Sequence, residues 1–182
     1  MHDEIFWVVD EHDVPLRIVY GKDYLHENGF FHRAVHVFIE VFGGYFIVQQ
    51  KAKHTENGGL LSSSVSGHVR YGESYLEAAI RETKEELGLD VESEELEEIA
   101  YVSACGVTNN EFVKLYSYLL DPTKEVITIN EEELDGIIIL PLGELIEDIA
   151  DNPNKYSPAF KFLLNIFLTY NKDIVEASYG SY

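Results

Sequence analysis

The chain has 182 residues, a length that fits one domain, residues 1–182, with enough sequence for a sizeable core. Apolar residues make up 46% and charged residues 25%, but thirteen Lys and Arg against thirty-three Asp and Glu leave a net charge of −20, which repels phosphate at long range and argues against nucleic-acid or anionic-membrane partners. The lone Cys105 cannot form an internal disulfide, MHDEIFWVVD has neither a basic region nor a long apolar run, and no stretch reaches the ~20 apolar residues of a membrane span, so a reducing, cytoplasmic setting is expected.

In chain order, IFWVV (5–9) reads as a strand, followed by the polar turn DEHD and a second apolar run, VPLRIVY. HRAVHVFIEVF, the pair Gly43 and Gly44, and YFIVQQKA predict a hairpin of two longer strands rich in β-branched and aromatic residues. From Lys53 to Ser64 the composition turns to loop chemistry. Residues 74–87 predict a helix, with Gly88 where a C-cap glycine belongs. EEIAYVSACGV and EFVKLYSYLLD predict two strands joined by TNN, and ELDGIIILPLGEL predicts a buried strand running into a short helix near GELIEDIA. Ser157 and Pro158 supply an N-cap and a first-turn proline for a last helix, AFKFLLNIFLTY, and the tail from about residue 172 is expected to fray. Interspersed strands and helices predict an α/β (α+β) architecture, one mixed β-sheet sandwiched between α-helices.

The helix over 74–87 is electrostatically odd. At 3.6 residues per turn, Leu76, Ala79, Ile80, Thr83 and Leu87 line one side, while Glu82, Glu85 and Glu86 gather on roughly the opposite one. Like charges three and four apart destabilise an isolated helix by a few tenths of a kcal/mol per pair. One explanation is a solvated acidic face. The other is a set of hard oxygen ligands for Mg²⁺ or Mn²⁺, which prefer carboxylates and bridge them to substrate phosphates.

Context favours the second. Gly67, Glu73, Arg81, Glu82, Glu85, Glu86 and Gly88 match every fixed position of the Nudix signature G-x5-E-x7-R-E-U-x-E-E-x-G-U, with Leu89 in the final apolar slot and Thr83 in the middle one as the single departure. The chain thus resembles the Nudix superfamily across residues 67–89. The resemblance implies the Nudix fold, Mg²⁺ or Mn²⁺ as cofactor, and hydrolysis of a diphosphate in a nucleoside diphosphate derivative or related small molecule. Carried onto this sequence, Glu82, Glu85 and Glu86 become metal ligands, the Gly67 carbonyl a further one, and Arg81 the residue that orients the glutamates. Glu73 would tie the loop to the helix. A carboxylate must also take a proton from the attacking water; Glu85, Glu86 and, from outside the motif, Glu133 are the candidates.

VVDEHDVP, HRAVHVFIEVFGGYFIVQQK, SSSVSGHVRYGES and INEEELDG extend the resemblance to the isopentenyl-diphosphate-isomerase-like branch. True isomerases of that branch bind metal through three histidines and two glutamates and protonate an alkene with a cysteine just before the Gly-His pair. Here His32 and His68 stand at matching places, His26 less securely because its spacing to His32 is one residue short, and Glu111 matches one acid. This group is a candidate second metal or substrate site. Ser66 stands at the cysteine position and Asn109 at the other acid, and a serine hydroxyl is too weak an acid for that proton transfer. The expected activity is therefore hydrolysis, with a Delta-isomerase and a non-catalytic ligand-sensing module as alternatives. The expected partner is a small-molecule diphosphate; a homodimer is left open.

Overall fold

The computed structural model describes residues 4–55 and 57–170, and the tail expected to fray lies outside them. Strands β1 (Ile5–Val9) and β2 (Pro15–Tyr20) form an antiparallel hairpin. Its turn is closed by Asp10, whose Oδ1 accepts from the N–H groups of His12 and Val14 at 2.8 and 2.9 Å. A six-residue helix, α1 (Lys22–Glu27), follows; it buries Leu25 against Phe6, Val8 and Val19. Sequence reading missed it because six residues are too few to show a 3.6-residue period.

Seven strands make the main sheet: β3 (His32–Val41), β4 (Tyr45–Lys51), β5 (Leu61–Ser62), β6 (Val65–His68), β7 (Glu97–Val102), β8 (Glu111–Leu120) and β9 (Leu134–Pro141). The order is β5-β4-β3-β8-β7, with β6 paired to β3 and β9 to β4. Only β3 and β8 run parallel. The expected hairpin forms, but β3 and β4 pair only at Glu40–Phe46 and Val41–Tyr45 before they splay and β6 takes over Ala34 to Val37. Ser64 bridges the gap, donating to the Ile47 carbonyl at 2.5 Å and accepting from Ile39 N–H at 2.8 Å. Ser62, Ser63 and Ser64 are all buried, so the end of the supposed loop belongs to the sheet; serine hydroxyls stand in for missing ladder bonds.

Alternation along β3 and β4 feeds two cores. Val35, Val37, Ile39 and Ile47 pack on Ala78, Ala79 and Leu87 of α2 (Tyr75–Leu87). Ala34, Phe38, Phe46 and Val48 pack on Leu142 and Leu145 of α3 (Leu142–Asp151) and on Phe160, Leu163, Leu164 and Phe167 of α4 (Pro158–Tyr170). The Phe167 ring meets Phe38 and Phe46 edge-on, at 5.3 and 5.6 Å. The sandwich expected from the sequence is present, with two corrections. The first hairpin is a separate sheet, and β9 is an edge strand that leaves Ile138 and Ile139 half-exposed instead of buried. No helix of the described residues is long and apolar enough to cross a membrane.

Helix α2 begins and ends as its sequence dictates. Ser74 and Glu77 form a reciprocal capping box, and Gly88 takes the left-handed conformation (φ 71°) at the C-cap. At the start of α4, the Ser157 hydroxyl accepts from Phe160 N–H at 3.3 Å. Asp13 anchors the first hairpin to this frame, accepting from Arg33 Nε (2.5 Å) and from the hydroxyls of Tyr75 (3.0 Å) and Tyr101 (3.1 Å).

Candidate functional site

Two turns of α2 carry the acidic motif, but the helix is rotated relative to the sequence expectation. Glu86 is 0% exposed and Glu82 8%, both turned toward the sheet, whereas the Glu85 side chain is 37% exposed. Spacing alone groups the three acids without fixing which of them face inward. The third inward acid is Glu133: carboxylate oxygens of Glu82, Glu86 and Glu133 all lie within 4.8 Å of one another. Residues 128–130 deliver it, because Thr128 N–H and Asn130 N–H donate to the last carbonyls of α2, Leu87 (2.9 Å) and Glu86 (3.0 Å). The next turn places Glu133, whose Oε1 accepts from Asn130 Nδ2 at 3.1 Å.

Burying acids requires compensation, and each receives it differently. Glu86 accepts from Lys51 Nζ at 2.7 Å and from Ser66 N–H at 3.0 Å; burial nevertheless raises its pKa. Glu82 is pushed up to about 7, mainly by burial, with Arg81 opposing and Glu86 adding repulsion. Arg81 is the hub: it reaches Glu73 (Nε 2.6 Å, Nη2 2.9 Å), Glu82 (2.7 Å), Glu85 (2.9 Å) and the His68 carbonyl (2.9 Å). Glu73 also accepts from Arg70 N–H at 3.0 Å, tying the loop to the helix. Glu85 accepts from Arg70 at 3.1 and 3.2 Å, Arg70 pairs in turn with Glu4, and all three line the cavity. Lys51 and Arg70 are thus both engaged with motif acids. At Gly67 a Cβ would fall inside the Glu82 carboxyl group, so only glycine lets that acid approach β6.

The histidines assemble a second cluster on the same cavity. His26, His32, His68 and Glu111 place ligand atoms within 4.8 Å of one another. His26 Nε2 lies 3.0 Å from His68 Nε2, and its Nδ1 lies 2.6 Å from Asn109 Nδ2. His26 comes from α1, so the short spacing to His32 does not keep it from the group. Burial acts to raise Glu111, but His32 and His68, at 3.5 and 3.2 Å, hold it well below the usual carboxylate range. Burial and the neighbouring imidazoles pull His26 down to about 4. His32 Nδ1 meets the Phe30 carbonyl at 2.8 Å, while its buried Nε2 makes no hydrogen bond among the described residues.

Both clusters border one cavity of about 1090 Å³, reached by Glu82, Glu133, His68 and Glu111. Their donor sets suit different ions. Three clustered carboxylates, two of them buried, fit a hard divalent cation such as Mg²⁺ or Mn²⁺, which relieves the mutual repulsion. Three imidazoles and one carboxylate, with His32 Nε2 coming no closer than 3.5 Å to Glu111, fit a transition metal.

Comparison with known proteins places this geometry. Residues 30–161 match the NUDIX domain family model. The chain is 30% identical over 161 residues to an isopentenyl-diphosphate Delta-isomerase of Serratia proteamaculans, covering 87% of this chain and 88% of that protein. It is 28% identical over 153 residues to a Nudix hydrolase of Clostridium acetobutylicum, covering 80% and 73%. A Deinococcus radiodurans crystal structure matches with a TM-score of 0.71 at 24% identity, covering 82% of this chain and 90% of that one. The motif helix, the sandwich around it and the span of the family match together show that this chain belongs to the NUDIX domain family.

Proposed function

We propose that the chain, as a single Nudix domain, is a Mg²⁺- or Mn²⁺-dependent hydrolase that cleaves the diphosphate bond of a nucleoside diphosphate derivative or related small molecule. The observation that carries this reading is the intact carboxylate cluster of Glu82, Glu86 and Glu133, of which Glu82 and Glu133 line the cavity and Glu86 is buried behind them. A divalent ion held there would neutralise charge developing on the diphosphate oxygens. Glu82 and Glu86 bind it, with the Gly67 carbonyl beside them, and Arg81 fixes the rotamer of Glu82. Glu133 takes the proton of the attacking water. Glu85, paired with two arginines, is assigned to orienting Arg81 and Arg70 instead of the metal.

A second reading, Delta-isomerase of an allylic diphosphate, draws support from the histidine cluster and from the names of several relatives. Two residues oppose it. Ser66 offers a hydroxyl that accepts from Gln49 Nε2 at 3.2 Å, and Asn109 replaces a charged ligand beside His26. A ligand-sensing role without catalysis leaves the whole carboxylate cluster unexplained.

The test is to incubate the protein with Mg²⁺ or Mn²⁺ and a panel of nucleotide, sugar and isoprenoid diphosphates, following the phosphomonoester products by ³¹P NMR and, for isopentenyl diphosphate, the double-bond position by ¹H NMR. Phosphomonoester formation from a panel member, lost in Glu86→Gln, is expected. Isomer formation without cleavage of the diphosphate would replace hydrolysis by isomerisation.

A further inference from the structure

Beyond the carboxylates, the cavity continues over the opposite face of the sheet. On β3, His32, Ala34 and His36 share one face by strand alternation, and Ala34 and His36 line the cavity. Ser66 links this region to the carboxylate cluster: its N–H donates to Glu86, and it is paired in register with His36 across β3 and β6. His36 is 5% exposed, with Nδ1 held 2.7 Å from the Ser63 hydroxyl, so Nε2 is its remaining polar atom toward the cavity. Beside it Ser62 and Ser157, both buried, face each other at 3.3 Å and also line the cavity. Each hydroxyl keeps hydrogen-bonding capacity beyond that contact. Gln49, paired in register with Ser62 and fully buried, has an Oε1 with no partner among the described residues.

We infer that the wall formed by His36, Ser62 and Ser157 is the subsite for the organic group carried by the diphosphate, and that it takes an uncharged hydroxyl- or amide-bearing group in preference to an isoprenyl chain. The inference rests on the hydrolase reading of the same site. Burial pulls His36 down to about 4, so at neutral pH it offers a neutral imidazole, suited to hydroxyl or amide partners. The apolar lining is Phe6, Ala34, Val107, Pro158 and Ala159, too small and scattered to sheathe a branched hydrocarbon. An isoprenyl chain would instead cover His36 Nε2 and the remaining capacity of the Ser62 and Ser157 hydroxyls without satisfying them, and unsatisfied buried polar groups are what give polar pockets their discrimination.

The test uses non-hydrolysable methylenediphosphonates with Mg²⁺ present, measured by calorimetry: α,β-methylene-ADP, a ribosyl analogue and a geranyl analogue. The wild type is expected to bind at least one polar analogue on the order of ten-fold more tightly than the geranyl one. The preference should shrink about ten-fold in His36→Leu and be partly kept in His36→Gln, which restores a polar group. Ser62→Ala, a smaller change, should also reduce it and serves if His36→Leu does not fold. Whichever polar analogue binds better tells base contact from sugar contact and supports the subsite. Geranyl binding as tight as both polar analogues, or a preference unchanged in His36→Leu and Ser62→Ala alike, overturns it. Absence of phosphomonoester products from every diphosphate, with the polar preference intact, instead sinks the hydrolase reading and leaves the subsite standing.

Discussion

The carboxylate and histidine clusters face one cavity, yet they solve the problem of buried polarity in opposite ways. Around Glu82 and Glu86 the chain supplies its own cations, Arg81 and Lys51, and still leaves burial strong enough to raise both acids. Around Glu111 no Lys or Arg is called on among the described residues: hydrogen bonds and charge interactions from His32 and His68 hold the acid well below the usual carboxylate range. The first cluster is short of positive charge, and the second gathers three imidazoles around a single acid. Nearness to the cavity therefore does not make the two equivalent, and each of the following experiments either separates them or collapses the distinction.

The largest separation is expected in turnover. Glu86→Gln, which removes a proposed metal ligand, should lower kcat of hydrolysis by roughly 10³-fold, and Glu133→Gln, which removes the proposed general base, by about 10²-fold. His32→Gln should cost less than about ten-fold. Equal losses at His32 and Glu86 would make the clusters one catalytic unit.

Ion preference should come next. After chelation, Mg²⁺ or Mn²⁺ is expected to restore hydrolysis, whereas Zn²⁺ titrated calorimetrically should bind a site that His26→Ala weakens at least about ten-fold. If His26→Ala leaves Zn²⁺ binding untouched, the imidazoles are structural. A smaller gain is expected from rebuilding the isomerase constellation: Ser66→Cys with Asn109→Glu should yield slow, NMR-detectable isomerisation of isopentenyl diphosphate, and Ser66→Cys alone should not.

The smallest effect is on stability against pH, where the clusters have opposite signs. The Glu82 carboxyl is raised from 4.5 to about 7, so the unfolded chain ionises first; without metal, this group's contribution is complete below 4.5 and is lost as pH rises to 7. His26 lies at about 4 instead of 6.5, so the unfolded chain takes the proton first; its contribution is complete above 6.5 and is lost as pH falls to 4. Melting temperatures between pH 4 and 8 should show Glu82→Gln flattening the loss on the alkaline side and His26→Asn the loss on the acidic side. Mg²⁺ should oppose only the first.

The sequence made the helix over 74–87 legible, because the motif and the terminal glycine act within a few residues; that Ser74 caps the helix instead of starting it is seen only in the structure. It left the inward set ambiguous: Glu85 and Glu86 are adjacent, and only packing against β3 and β6 decides that Glu86 turns in. Glu133 was visible as a rival base, but its convergence with Glu82 depends on backbone bonds to Leu87 and Glu86 that no local pattern announces. His26 was underrated because spacing was counted along the chain, while α1 and the turn after it set the distance in space. The serines at 62–64 read as loop because hydroxyls that replace ladder bonds have the same composition as hydroxyls in solvent.

The two bonds from residues 128–130 to the end of α2 also bear on how the protein matures. Glu82 and Glu86 are in place once α2 packs on β3 and β6, but the third carboxylate arrives only when a segment more than forty residues later docks on the helix end. A chain stalled before that docking carries two acids of the set, so if the three together hold a divalent ion as proposed, metal affinity becomes a gauge of completed folding.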